Sequence, residues 1–211
     1  MLQLIKKDIL FNWKWAFLLV VIAILFPLVF FLDRDETRLI LWVYIIGIVL
    51  ANSHFVSKSC YLDDSAQTQR FLASLPVRRA ALVISKYLLG LLCIVVSISL
   101  TSLSSFALGL HPGLQAIQIA SIYLLLYYAV FLGVFFRSNY SSAEKANTAL
   151  LMLTVMSAFV IDRSGEHLDN MNIDPVILLA GLGICMLIFT LSIVLSILSL
   201  RGLLHSKHTG K

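Results

Sequence analysis

Long uncharged runs govern what this chain can become. Trp15–Leu32, Leu39–Val56, Tyr87–Leu110, Leu114–Phe136, Ala146–Ile161 and Val176–Leu200 contain no Asp, Glu, Lys or Arg. A helix needs about 20 mostly apolar residues to cross roughly 30 Å of hydrocarbon. Barrel strands would alternate in polarity over about 10 residues, whereas these runs are continuously apolar. A helix satisfies its own backbone hydrogen bonds inside lipid, so helices are the expected form. The chain is 60% hydrophobic and 13% charged. Soluble domains average about 45–50% and about 25%. The expected fold is an all-α membrane protein, with six transmembrane helices in a single domain over residues 1–211. The fifth run is the shortest and extends back toward Ser142. Lys6 and Lys7 before the first run resemble a signal peptide. The run is too long for a signal core and more spans follow, so it is expected to stay as the first span.

Charge distribution sets the orientation. Lys and Arg concentrate on cytoplasmic connections of membrane proteins. The N-terminus, 57–86, 137–145 and the C-terminal tail together hold thirteen of the sixteen Lys and Arg residues. The alternate connections, 33–38, 111–113 and 162–174, hold only Arg34, Arg38 and Arg163 beside seven acidic residues. Both termini are therefore expected in the cytoplasm. The net charge of +5 reflects this sidedness. No basic stripe with interleaved aromatics accompanies it, so no nucleic-acid partner is expected.

Two cytoplasmic segments carry further pattern. In residues 1–14, Leu2, Ile5, Ile9 and Trp13 recur at helical spacing, with Lys6, Lys7 and Asn12 off that stripe. This predicts an amphipathic helix in the inner membrane interface, contacting lipid. The alternative is a first span that begins early. In 57–86, Asp63 or Asp64 can cap a helix, and Asp64 with Gln67 has capping-box spacing. A helix over about 65–74 would carry Arg70, Phe71 and Leu72. Pro76 disfavours helical geometry at Leu75 and suits the first turn of a new helix. That second helix would enter the third span through Arg78, Arg79 and Lys86. Phe71 and Leu72 then stand at a cytoplasmic corner. They can rest on the bilayer, with Arg78 and Arg79 on lipid phosphates, or anchor a protein partner.

Chemistry-bearing residues are scarce. Near the inner boundary, His54 reads as an interfacial histidine and Lys86 as a snorkelling lysine. No zinc-protease, hydrolase or P-loop motif is present, so no catalytic residue and no metal or cofactor site is assigned. Cys60, Cys93 and Cys185 are scattered and suggest neither a disulfide framework nor a metal site. Ser97, Ser99, Thr101 and Ser102 in the third span, like Ser192, Ser196 and Ser199 in the sixth, can pack helices closely or line a polar path. Pro27 is expected to kink the first span.

The run DDSAQTQRFLASLPVRRAALVISKYL at 63–88 resembles the permease subunits of bacterial ABC exporters, the ABC type-2 family. Ser74, Leu75, Pro76, Val77, Arg78, Val83, Ser85, Lys86, Tyr87 and Leu88 carry the likeness, and the six-span layout extends it along nearly the whole chain. The resemblance implies a non-catalytic, multi-pass subunit of the bacterial plasma membrane. It implies a coupling helix between spans two and three, seated on a separate ATPase subunit that holds ATP and Mg. Asp63, Asp64, Gln67, Arg70, Phe71, Leu72, Leu75, Pro76, Arg78 and Arg79 would form that contact. Ser141, Glu144 and Lys145 would form a second one, and Ser141 with Glu144 has capping-box spacing. A second permease subunit would complete the path, for a hydrophobic or amphipathic cargo such as a peptide, lipid-like molecule or drug. Many relatives carry a re-entrant helical pair between spans five and six, whereas here that interval is the polar DRSGEHLDNMNID. The competing expectations are a secondary transporter or channel, which would show inverted repeats and broken helices, and a membrane scaffold or immunity protein acting by contact.

Overall fold

A computed structural model describes residues 2–31, 37–64, 79–109, 114–163 and 175–208. Among these residues the structure is entirely helical. The helices are α1 (Leu2–Phe11), α2 (Trp13–Phe31), α3 (Thr37–Asp64), α4 (Arg79–Ala107), α5 (Leu114–Arg137), α6 (Tyr140–Arg163) and α7 (Pro175–His208). Each expected apolar run falls largely inside one of the last six. Among the described residues, three helices are long and apolar enough to cross a membrane: Ala80–Ala107, Ile117–Arg137 and Val176–Ser199. The bent pair Gln3–Phe11 and Trp13–Leu25 makes a fourth if counted as one span.

The bend between α1 and α2 is 79° and is made at Asn12. Helix α2 runs through Pro27 unbroken. The buried Asn12 donates from both its backbone N–H and its side-chain amide to the Asp8 carbonyl, each at 3.1 Å. Its own carbonyl accepts from the Trp15 and Ala16 amides, both at 2.9 Å. One residue therefore closes α1 and opens α2, which answers the orphan backbone groups at both helix ends.

Helix α5 lies at the centre. Leu124, Leu125, Tyr127, Tyr128, Phe131 and Leu132 are all buried. It packs most extensively on α7, and α6 and α4 also lie against it. Gly133 permits the close α5–α7 approach, because a Cβ there would come within 3.0 Å of Ser192 Oγ. On the other side, α2 packs on α3 and α4. Gly109, with φ of 73°, ends the turn after α4 in a left-handed conformation that a side chain would strain.

The exterior is apolar and much of the interior is polar. Helix α7 buries Leu178, Cys185, Phe189 and Ser196 on one stripe while Val176, Leu179 and Leu187 are each 70% exposed. Exposed apolar surface on this scale is incompatible with water and suits hydrocarbon. Inside, Asn52 donates to Ser97 Oγ at 2.8 Å and accepts from Tyr128 Oη at 3.0 Å, joining α3, α4 and α5. Tyr87 Oη meets Ser192 Oγ at 2.7 Å and Ser196 Oγ at 3.0 Å, joining α4 to α7. Ser192 also donates to the Ala129 carbonyl at 2.6 Å. The protein is membrane-embedded, and hydroxyl and amide groups hold its helices together where no hydrophobic effect between helices operates.

Candidate functional site

At the end that the charge pattern assigns to the cytoplasm, α3 continues to Asp64. Residues 57–64, expected as the start of a loop, are thus a helical extension of the second apolar run. They carry the densest polar chemistry in the described structure. Lys86 of α4 was expected to snorkel; instead it is buried, 4% exposed. Its Nζ lies 2.6 Å from Asp63 Oδ2 and 2.9 Å from Asp8 Oδ2. Lys7 Nζ occupies the opposite corner, 2.9 Å from Asp63 Oδ1 and 3.4 Å from Asp8 Oδ1. Two cations and two anions alternate around a square, and each aspartate gives one oxygen to each lysine. Ser59 completes the Lys86 shell through its Oγ at 2.5 Å and its carbonyl at 3.4 Å.

The square explains how α1 sits. An apolar stripe of Ile5, Ile9 and Trp13 was expected to face one way, with the lysines elsewhere. In the structure Asp8 and Asn12 are buried and Lys7 is half-buried. Leu10, Phe11 and Trp13 point outward, at 59%, 75% and 60% exposure. The inner face of α1 is thus its polar face, because its charges find partners on α3 and α4. Desolvating four charges is costly, and alternation of sign offsets that cost. Removing one member would leave an uncompensated net charge in the buried cluster, at about 3–5 kcal/mol.

Neighbouring residues extend the site. Asp64 Oδ2 accepts the Tyr140 amide at 3.3 Å, at the start of α6. Tyr140 Oη meets Ser57 Oγ at 3.1 Å, and its ring packs edge-on against Tyr61. Lys58 Nζ lies 5.8 Å from the Trp15 ring and 5.0 Å from the Tyr61 ring. His54 is exposed and its ring meets Trp15 edge-on at 4.7 Å. Cys60 is fully buried beside the square. Burial pushes its thiol up to about 12; Lys86 opposes that shift, and Asp63, Asp8 and Asp64 reinforce it.

The chain matches the profile of the ABC-2 family transporter proteins over residues 3–200. It belongs to the ABC-2 transporter permease family. No curated protein and no solved structure is significantly similar to it.

In this ABC-2 permease the expected contact residues fall into separate groups. Asp63 and Asp64 lie within α3, and Asp64 accepts the first amide of α6; the helix they were expected to cap lies outside the described residues. Arg79 is the first residue of α4. Gln67, Arg70, Phe71, Leu72, Leu75, Pro76 and Arg78 lie outside the described residues, as do the corner they were expected to form and the 164–174 interval. Ser141, Glu144 and Lys145 are exposed on α6. The cap of that helix is Asn139, whose Oδ1 accepts the Ser142 amide at 2.9 Å, in place of the expected Ser141–Glu144 box. Ser97 and Thr101 are buried; Ser97 bonds Asn52, and Thr101 donates back to the Ser97 carbonyl at 2.8 Å. Ser99 is exposed and Ser102 half-buried, so the four hydroxyls do not share a face.

Asp8, Lys7, Ser59 and Asn52 escaped the sequence expectations. A signal for the site's three acids was present. Asp8, Asp63, Asp64 and Glu144 are the acidic residues of the otherwise basic segments, and acids kept amid an excess of cations mark ion pairing.

Proposed function

We propose that this permease is the non-catalytic membrane subunit of an ABC exporter, with six spans, both termini in the cytoplasm, and residence in a bacterial plasma membrane. The observation that carries this reading is the family match across nearly the whole chain, joined to a cytoplasmic-side cluster where α1, α3, α4 and α6 meet. Residues 65–78 form the coupling element on a separate ATPase subunit, which holds ATP and Mg. Phe71 and Leu72 are its anchors and Gln67, Arg70, Leu75, Pro76, Arg78 and Arg79 its frame. The exposed Ser141, Glu144 and Lys145 make a second contact. ATP binding closes the ATPase pair, and that motion biases a dimer of permeases between inward- and outward-open states. Spans without fixed charge suit a hydrophobic or amphipathic cargo, peptides among them.

The test is co-purification with the ATPase encoded beside the gene. The unaltered chain is expected to carry the ATPase through purification. Phe71→Ala with Leu72→Ala is expected to lower its recovery about tenfold while membrane insertion is kept, as loss of two interface anchors would. Absence of any associated ATPase would refute the reading.

A further inference from the structure

The outward stripe of α3 changes character toward its cytoplasmic end. Leu50, His54 and Lys58 stand at four-residue intervals, so they share one face and follow one another by about 6 Å along the axis. Tyr61 continues that face. Leu50, His54 and Tyr61 are exposed and Lys58 is half-buried. The stripe runs from aliphatic through imidazole to ammonium, the order in which a leaflet runs from acyl chain to phosphate.

Lys58 is held differently from the lysines of the ionic square. All four carboxylate oxygens of Asp8 and Asp63 are taken by Lys7 and Lys86. Among the described residues no carboxylate pairs with Lys58; its Nζ stands 5.8 Å from the Trp15 ring and 5.0 Å from the Tyr61 ring. An aromatic face attracts an ammonium without neutralising its charge. Trp15 also meets the His54 ring edge-on, 4.7 Å away. One indole therefore positions both polar groups of the stripe. Trp15 lies in the first turn of α2, just after the 79° bend, and tryptophan there marks the headgroup level. A half-buried cation held at that depth with its charge uncancelled calls for an anion.

We propose that the α2–α3 seam formed by Trp15, Leu50, His54, Lys58 and Tyr61 binds one anionic phospholipid of the cytoplasmic leaflet. Lys58 pairs with the lipid phosphate in a charge-assisted contact. His54, one turn deeper, donates an imidazole N–H to an ester oxygen, and Leu50 meets the top of an acyl chain. A zwitterionic lipid carries its own cation beside the phosphate and gains less from Lys58. The proposal rests on the reading above only for the leaflet; the seam belongs to this chain.

The exposed Lys6 and Lys14 lie at the same end of the molecule. General attraction to a negative leaflet treats all lysines near it alike, whereas a site depends on one of them. The full chain, stripped of lipid in neutral detergent, is titrated with phosphatidylglycerol or with phosphatidylcholine of the same acyl chains. Native mass spectrometry counts the bound lipid. The parent is expected to bind its first phosphatidylglycerol about tenfold more tightly than phosphatidylcholine, the worth of one charge-assisted contact. Lys58→Gln is expected to abolish that preference while phosphatidylcholine binding persists, which shows that the variant is folded. Lys58→Arg, which keeps the charge, is expected to retain the preference, and so is Lys6→Gln.

Three outcomes would overturn the site. A parent without preference would leave ordinary contact with surrounding lipid. Equal losses in Lys6→Gln and Lys58→Gln would leave general surface charge. Displacement of the lipid by inorganic phosphate at the same concentration would make the seam a free-anion site. If no ATPase accompanies the chain, the proposed function fails, while these titrations, which need neither an ATPase nor a sidedness, still decide the lipid site.

Discussion

Asn52 shows what one polar residue does in an apolar span. Its amide donates to the Ile48 carbonyl and to Ser97 Oγ, both at 2.8 Å, while its Oδ1 accepts from Tyr128. A lone amide in hydrocarbon would be costly, so this one residue fixes the mutual rotation of α3, α4 and α5. Asn52→Ala strands Ser97 and Tyr128 from their inter-helix partner and is expected to destabilise the fold by roughly 1–3 kcal/mol. Tyr128→Phe removes one bond and is expected to cost less. Thermal unfolding in detergent measures both, and an Asn52→Ala variant as stable as the parent would contradict the account. Lys86 makes the same point for charge. In sequence it stands at the edge of an apolar run, where snorkelling to the interface is the ordinary behaviour. It turns inward because Asp8 and Asp63, far away in the chain, supply both of its counter-charges.

At the scale of elements, the start of the chain was legible as a short helix followed by a span, but the residue that joins the two was not. Pro27 carries a familiar helix-breaking signature, yet α2 passes through it. Asn12 makes the bend by closing one helix and opening the next. Asn12→Ala is expected to cost about 1 kcal/mol, the worth of its lost side-chain hydrogen bond to the Asp8 carbonyl, whereas Pro27→Ala leaves the angle between α1 and α2 unchanged. Spin labels at Lys6 and Val20 report that angle. A straight helix would set the two backbone sites about 21 Å apart at 1.5 Å per residue, and the bend shortens this to about 16 Å. A distance of about 21 Å in the parent chain would contradict the bend. The start of α6 was legible in type but not in cap, because Asn139, Ser141 and Ser142 all suit an N-cap. Backbone geometry chose among them.

For the whole molecule, sidedness is the expectation most worth testing. The basic segments alternate with ones poor in Lys and Arg along the entire chain, and the described helices account for the apolar runs between them. In a chain lacking its native cysteines, Thr68→Cys is expected to resist a membrane-impermeant maleimide in intact cells and to react after permeabilisation. Ser164→Cys is expected to react in intact cells. The opposite pattern would invert the topology and move the ionic square to the outer face, away from any ATPase.

The sequence alone determined the helical membrane class, the approximate apolar helical segments and the unequal distribution of charge. Each follows from local properties: the length of an apolar run, its continuity, and the count of Lys and Arg between runs. The tertiary structure decided which polar residues meet. Asp8 with Lys86, Asp64 with Tyr140, and Asn52 with Tyr128 are distant in the chain, and no local spacing encodes their pairing. Desolvation supplies the physical reason. A charge or amide buried among apolar helices must find a partner, and only the packed arrangement of α1, α3, α4, α5 and α6 fixes which partner is within reach.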